Sequence, residues 1–220
     1  MRRAAAYKLV IFDFDGTLAD SADWMRSVLN DVARRYRFRT LADHELDALR
    51  GKDTRAILDH LGVARWKLPF IARHVRGLVA RDTHRIPLFP GVHTLLEQLT
   101  RHGLTTAVVS SNAEANVRAI LGPESAARIH FYACGAGLFG KRAKFRDVLG
   151  WSGVAPEHAI SIGDEVRDIE AAAAERIAAG GVSWGYASPE LLRAHRPTVM
   201  FESFDDVLRV LVGGGPAALP

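Results

Sequence analysis

Five short apolar runs, spaced between stretches of helical periodicity, limit this chain to one kind of architecture. The runs are Lys8 to Phe12, Thr105 to Val109, Ile129 to Ala133, Ala159 to Ile162 and Ala178 to Val182. In the first, Leu9, Val10, Ile11 and Phe12 are continuously apolar, as a strand buried on both faces is. Amphipathic helices are predicted at Val92 to Arg101, Ala113 to Leu121, Arg142 to Leu149 and Val166 to Arg176. Strands alternating with helices call for an α/β fold, a Rossmann-like parallel sheet with helices on both faces. Ligands of such sheets sit beyond the carboxyl ends of the strands, so the polar residues directly after each run are the candidates for chemistry.

One stretch breaks the alternation. From about Asp20 to Arg85 the pattern is helical, with Trp24, Met25, Val28, Leu29, Val32 and Tyr36 on one face and Ile57, Leu58 and Leu61 on another. Gly51, Gly62 and Pro69 divide it into several helices. The α/β rhythm resumes after Pro87 and Phe89-Pro90-Gly91. The expected organisation is a discontinuous core, residues 1–18 and 89–220, carrying a helical insertion at residues 19–88 on two hinge-like linkers. The tail from Gly213 to Pro220 is expected to be disordered.

Bulk properties narrow the function classes. A chain of 220 residues buries a sizeable core. Its single cysteine, Cys134, excludes an internal disulfide framework and a multi-cysteine zinc site, and suits the cytoplasm. It reads as a small packed residue near a strand. The basic Met1-Arg2-Arg3 is followed by a short apolar stretch that runs into carboxylates, which is a strand and not a secretory signal. No apolar run approaches the roughly 18 residues needed to cross a bilayer. The net charge of +4 is spread along helical segments without a recognisable nucleic-acid module, so no nucleic-acid or membrane partner is expected. The nine histidines show no ligand spacing.

The chemistry lies at the strand ends. Asp13-Phe14-Asp15-Gly16-Thr17 follows the first run. Residues two apart in extended backbone project the same way, so both carboxylates face one spot. Two such acids repel, and a hard divalent cation such as magnesium relieves that. Gly16 is expected to admit a substrate close to the backbone, and Asp20 or Ser21 to cap the next helix. After the fourth run, Gly163-Asp164-Glu165-Val166-Arg167-Asp168 sets two acids four apart, on one face if helical. Ser110-Ser111-Asn112, at the end of the second strand, offers hydroxyls and backbone amides to an anion. Lys141 adds a compact positive charge before a helix.

Taken in order, DxDGT, SSN, GK and GDxxxD resemble the motifs of the haloacid dehalogenase superfamily, over nearly the whole chain. The resemblance extends to the Leu88-Phe89-Pro90-Gly91 hinge and to the insertion, which looks like a C1 helical cap. It implies a magnesium-dependent phosphatase in which Asp13 is the nucleophile and Asp15 the general acid, then base. Asp13, the backbone carbonyl of Asp15 and Asp164 would ligate magnesium. Ser110, or Ser111 in the alternative register, would hold phosphoryl oxygens with Asn112, Gly16 and Lys141, and Lys144 is a fallback for Lys141. Thr17 would brace the loop and Asp168 orient the site from behind. Asp15 points to phosphoryl transfer, because dehalogenases and phosphonatases of the superfamily generally lack it. Glu175-Arg176 replaces a common Ala-Gly pair, a change expected to affect helix packing.

The substrate is expected to be a small phosphorylated metabolite, phosphoglycolate being the first guess from the family. Arg50, Lys52 and Arg55 around Gly51 are candidate cap contacts, and Trp184 could line the site. A phosphomutase using the same aspartyl-phosphate is the main alternative. A remoter one is a P-loop nucleotide hydrolase, since Gly135 to Lys141 satisfies GxxxxGK. That reading leaves Asp13 and Asp15 without a role, and puts Arg142 where a Ser or Thr is needed.

Overall fold

The computed structural model describes residues 7–213 except 136, 138 and 139. Met1-Arg2-Arg3 and the tail after Gly213 lie outside the described residues.

The strands are β1 (Leu9–Phe12), β2 (Thr105–Val109), β3 (Phe131–Ala133), β4 (Ala159–Gly163), β5 (Ala178–Val182) and β6 (Val199–Phe201). They form one sheet of order β3-β2-β1-β4-β5-β6, with every pairing parallel. Leu9 is in register with Thr105 on one side and Ala159 on the other. The chain builds outward from β1 to β3, then crosses to the far side of β1 for β4. That reversal opens a crevice at the carboxyl end of β1, where ligands of such sheets bind.

β1 explains why the sheet needs two covers. Successive side chains point to opposite faces. Val10 and Phe12 enter one apolar cluster, and Leu9 and Ile11 the other. α5 (Val92–Arg101), α6 (Glu114–Ala126) and α10 (Phe204–Val212) supply Leu95, Leu96, Val117 and Val207 to the first. α7 (Lys141–Ser152), α8 (Val166–Ala174) and α9 (Pro189–Ala194) supply Phe145, Ile169 and Leu192 to the second. Phe145 is 1% exposed. Phe145→Ala is expected to cost about 3–5 kcal/mol, read as a lower denaturant midpoint, because the cavity cannot fully collapse.

Between β1 and α5 the chain makes α1 (Ala22–Tyr36), α2 (Asp43–Leu49), α3 (Thr54–His60) and α4 (Leu68–Asp82). These helices carry an apolar cluster of their own around Leu41, Leu49, Leu61 and Val63. The indole N–H of Trp24 on α1 donates to Asp82 at the end of α4 (2.9 Å). The two linkers run side by side, Asp20 N–H donating to Pro87 and Phe89 N–H to Leu18, each at 2.9 Å. No helix among the described residues is long and apolar enough to cross a membrane.

Five elements differ from expectation. β3 starts at Phe131 instead of Ile129, and α6 continues past Leu121 through a break at Gly122 (φ 74°) before Pro123. The edge strand β6 and its flanking helices α9 and α10 were not anticipated. β6 is three residues long and depends on β5 for room. A Cβ on Gly180 would lie 2.5 Å from the Phe201 ring, and one on Gly181 2.7 Å from the Met200 sulfur. The signal for α10 was present in its cap: Ser203 Oγ accepts the Asp206 N–H at 3.2 Å.

Candidate active site

The tips of β1 and β4 meet. Asp13, the first residue after β1, donates its N–H to Ile162 on β4 (2.9 Å). Its carboxylate accepts the Phe14 N–H through Oδ1 (2.8 Å), and its Oδ2 lies 2.7 Å from Lys141 Nζ. The following loop closes tightly, with Leu18 and Ala19 both donating to the Phe14 carbonyl at 2.9 Å. Gly16 sits in that loop at φ +79°, and a Cβ there would stand 2.2 Å from Asp164 Oδ2. The close approach expected of a substrate is thus made by one of the protein's own carboxylates.

Asp164, just past β4, has no exposed surface. Thr17 Oγ1 donates to its Oδ1 (2.9 Å) and Tyr186 N–H to its Oδ2 (2.8 Å). Burial, then the charges of Asp13, Glu165 and Asp168, push its pKa well above the usual carboxylate range. Asp168 reaches the same spot by a different route from the one its spacing suggested. Glu165 is the N-cap of α8, so Asp164 lies outside the helix and only Asp168 is on it. Asp168 Oδ2 accepts the Glu165 N–H (3.1 Å), and Oδ1 pairs with the Lys141 ammonium. Burial raises its pKa to about 6 against the pull of Lys141. Lys141, buried at the start of α7, stays charged: burial disfavours the ammonium, but Asp13 and Asp168 outweigh it and raise its pKa. Lys144, the fallback, instead pairs with Asp147 at 3.8 Å.

The end of β2 completes the group. Ser110 is buried and its Oγ accepts the Asn112 N–H (3.0 Å), whereas Ser111 is half-buried and its carbonyl accepts from Arg76 on α4 (3.2 Å). Asn112 Nδ2 donates to Asp15 Oδ2 at 3.3 Å, and its Oδ1 accepts from Ala113 N–H and Asn116 Nδ2, both at 2.9 Å. Burial and the neighbouring Asp13 push the Asp15 carboxyl up to about 6.

Carboxylate oxygens of Asp13, Asp164 and Asp168 lie within 4.8 Å of one another, all buried. Mutually repelling oxygen donors of this kind suit a hard divalent cation, as magnesium is. The side chain of Asp15 turns away from this trio toward Asn112.

The chain matches the haloacid dehalogenase-like hydrolases over residues 10–182. It belongs to that family. The phosphoglycolate phosphatase of Synechococcus elongatus is 30% identical over 204 residues, spanning 92% of this chain and 96% of that protein. Tyrosine-protein kinase PtkA of Mycobacterium tuberculosis is 30% identical over 215 residues, 94% of this chain and 72% of PtkA. In fold, the crystal structure of a predicted phosphatase from Clostridium acetobutylicum has a TM-score of 0.80 at 20% identity, covering 94% of this chain and 99% of that one.

Around these carboxylates, the inserted helices dock through a turn. Arg50 and Lys52 line a cavity of about 370 Å³ with Trp184 and Tyr186, while Arg55 lies exposed on α3 outside that lining. The Arg50 guanidinium donates to the carbonyls of Gly185 (3.2 Å) and Tyr186 (3.3 Å), and Thr54 Oγ1 to Glu165 (2.6 Å). Trp184 donates to the Thr17 carbonyl (3.1 Å). Ser21 does not cap α1 with its side chain; its hydroxyl bonds that of Tyr186 at 2.5 Å. The loop after β5 therefore carries residues not anticipated. A Cβ on Gly185 would lie 2.0 Å from the Asp164 Cβ, so this glycine is fixed by the same carboxylate as Gly16. Its place in the loop that follows β5, three residues past Val182, was the available signal.

The remaining sequence features fall away from the chemistry. Three residues of the GxxxxGK run, 136, 138 and 139, lie outside the described residues, and its lysine is held by Asp13 and Asp168. Glu175 ties α7 to the end of α8 by accepting from Arg142 (2.5 Å) and Arg146 (3.4 Å). Burial, followed by Glu114, pushes the Cys134 thiol up to about 12, which makes it a poor nucleophile.

Proposed function

We propose that the protein is a magnesium-dependent phosphatase of the cytoplasm, hydrolysing a small phosphorylated metabolite through an aspartyl-phosphate on Asp13. The observation that carries this is the convergence of Asp13, Lys141, Asp164 and Asp168 in one buried group beside Asp15. Asp13, Asp164 and the backbone carbonyl of Asp15 would hold magnesium, whose bound charge draws electron density from the phosphoryl oxygens.

An Asp13 oxygen attacks phosphorus, and the bond from phosphorus to the leaving oxygen breaks. Asp15, protonated more readily than an ordinary carboxyl, gives its proton to that oxygen. Water then attacks the phosphorus on Asp13, its proton passes to Asp15, and phosphate departs with the Asp13 carboxylate restored. Lys141, the Ser110 hydroxyl and Asn112 bind phosphoryl oxygens, where charge positioning supplies most of the acceleration. Thr17 braces Asp164, and Asp168 orients Lys141. Residues 19–88 act as a cap over the core of residues 1–18 and 89–220, closing it to water.

Phosphate release from a panel of phosphorylated metabolites, phosphoglycolate included, tests the reading. Turnover is expected only with magnesium, to cease with EDTA and to return on adding the metal. The melting temperature should rise with magnesium, which binds the folded carboxylate group. Full activity in EDTA would remove the metal from the mechanism. Sugar phosphates that isomerise without releasing phosphate would reassign the protein to a mutase.

A further inference from the structure

The geometry points to a substrate whose phosphate is esterified to an apolar group, seated in a cavity between the inserted helices and the sheet. This rests on the phosphatase reading of the same site and narrows it to a substrate class. Asp15, the proton donor to the leaving group in that reading, lines a cavity of about 260 Å³ that extends into the insertion. Its deep walls are hydrocarbon: Leu29 and Val32 from α1, Phe38, and Ile71, Val75 and Val79 from α4. Its charged lining residues, Arg76, Glu165 and Arg167, belong to the end near the carboxylates, where Arg76 donates to Ser111 and Arg167 pairs with Glu165. The basic turn with Arg50 and Lys52 lines the neighbouring cavity, which does not include Asp15.

A leaving group held at Asp15 and long enough to pass that polar end therefore meets hydrocarbon. A carboxylate at that depth would lose its water among hydrocarbon side chains, the Trp24 indole N–H being already given to Asp82. An apolar group would release water from both surfaces instead. An apolar hole of roughly 150 Å³ takes up benzene, so on that scale this one, at about 260 Å³, holds roughly ten carbons.

The test is a series of n-alkyl phosphates, methyl to dodecyl, given to the full chain with magnesium while released phosphate is measured. kcat/KM is expected to rise about fourfold per methylene until the cavity is full, then level off. Ala72→Phe, which fills part of the lining, should move the plateau to shorter chains; Ala72→Leu serves if the larger residue unfolds the protein. A flat or falling series, with methyl phosphate and phosphoglycolate both hydrolysed, overturns the apolar subsite and leaves the phosphatase standing. A rise that neither Ala72 variant alters also overturns it. Release of phosphate from none of the esters overturns both.

Discussion

Asp13→Asn is expected to lower kcat by at least about 10⁴-fold for every phosphomonoester while the fold persists. The amide has no anionic oxygen with which to attack phosphorus, so the covalent route closes. The packing changes little, because Asn has the same shape and its oxygen can still accept the Phe14 N–H. Lys141 keeps Asp168 as its partner, so no buried charge is stranded. Steady-state phosphate release gives the first readout, and a denaturation curve the second. Activity within a factor of ten of the parent, at unchanged stability, would take the nucleophile away from Asp13.

Asp15→Asn should cost about 10²–10⁴-fold for alkyl esters, whose leaving oxygens need a proton. With p-nitrophenyl phosphate the first step should survive, since nitrophenolate departs without one. Water still lacks its base in the second step, so the variant should give a stoichiometric burst of nitrophenol and then slow turnover. Mass spectrometry should find phosphate on Asp13 during that slow phase. Equal losses for both ester types, with no burst, would mean that Asp15 serves the loop and not the proton.

Much of this was legible in the sequence because strand ends are local. Leu9 to Phe12 is an unbroken apolar run, so Asp13 had to emerge at its tip, and the same holds for Ser110 after β2 and Asp164 after β4. The insertion was legible because helical spacing persists from Trp24 to Leu61 without a strand. Other features were illegible because they depend on partners distant in the chain. β6 exists because Gly180 and Gly181 leave space for Phe201 and Met200. The Tyr186 amide holds Asp164 across 22 residues, and Arg50 reaches the Gly185 carbonyl across 135.

Composition, periodicity and motif order thus determined the class of fold, the strand ends that matter and the residue types gathered there. Tertiary structure alone decided that Gly16 and Gly185 must lack side chains, that Lys141 is shared between Asp13 and Asp168, and that Asp15 lines a cavity whose far walls are hydrocarbon. The reason is physical: hydrophobic periodicity acts over a few neighbouring residues and is written along the chain. Carboxylate contacts such as that of Asp13 with Lys141 at 2.7 Å, and the shape of a cavity, exist only once distant segments have packed.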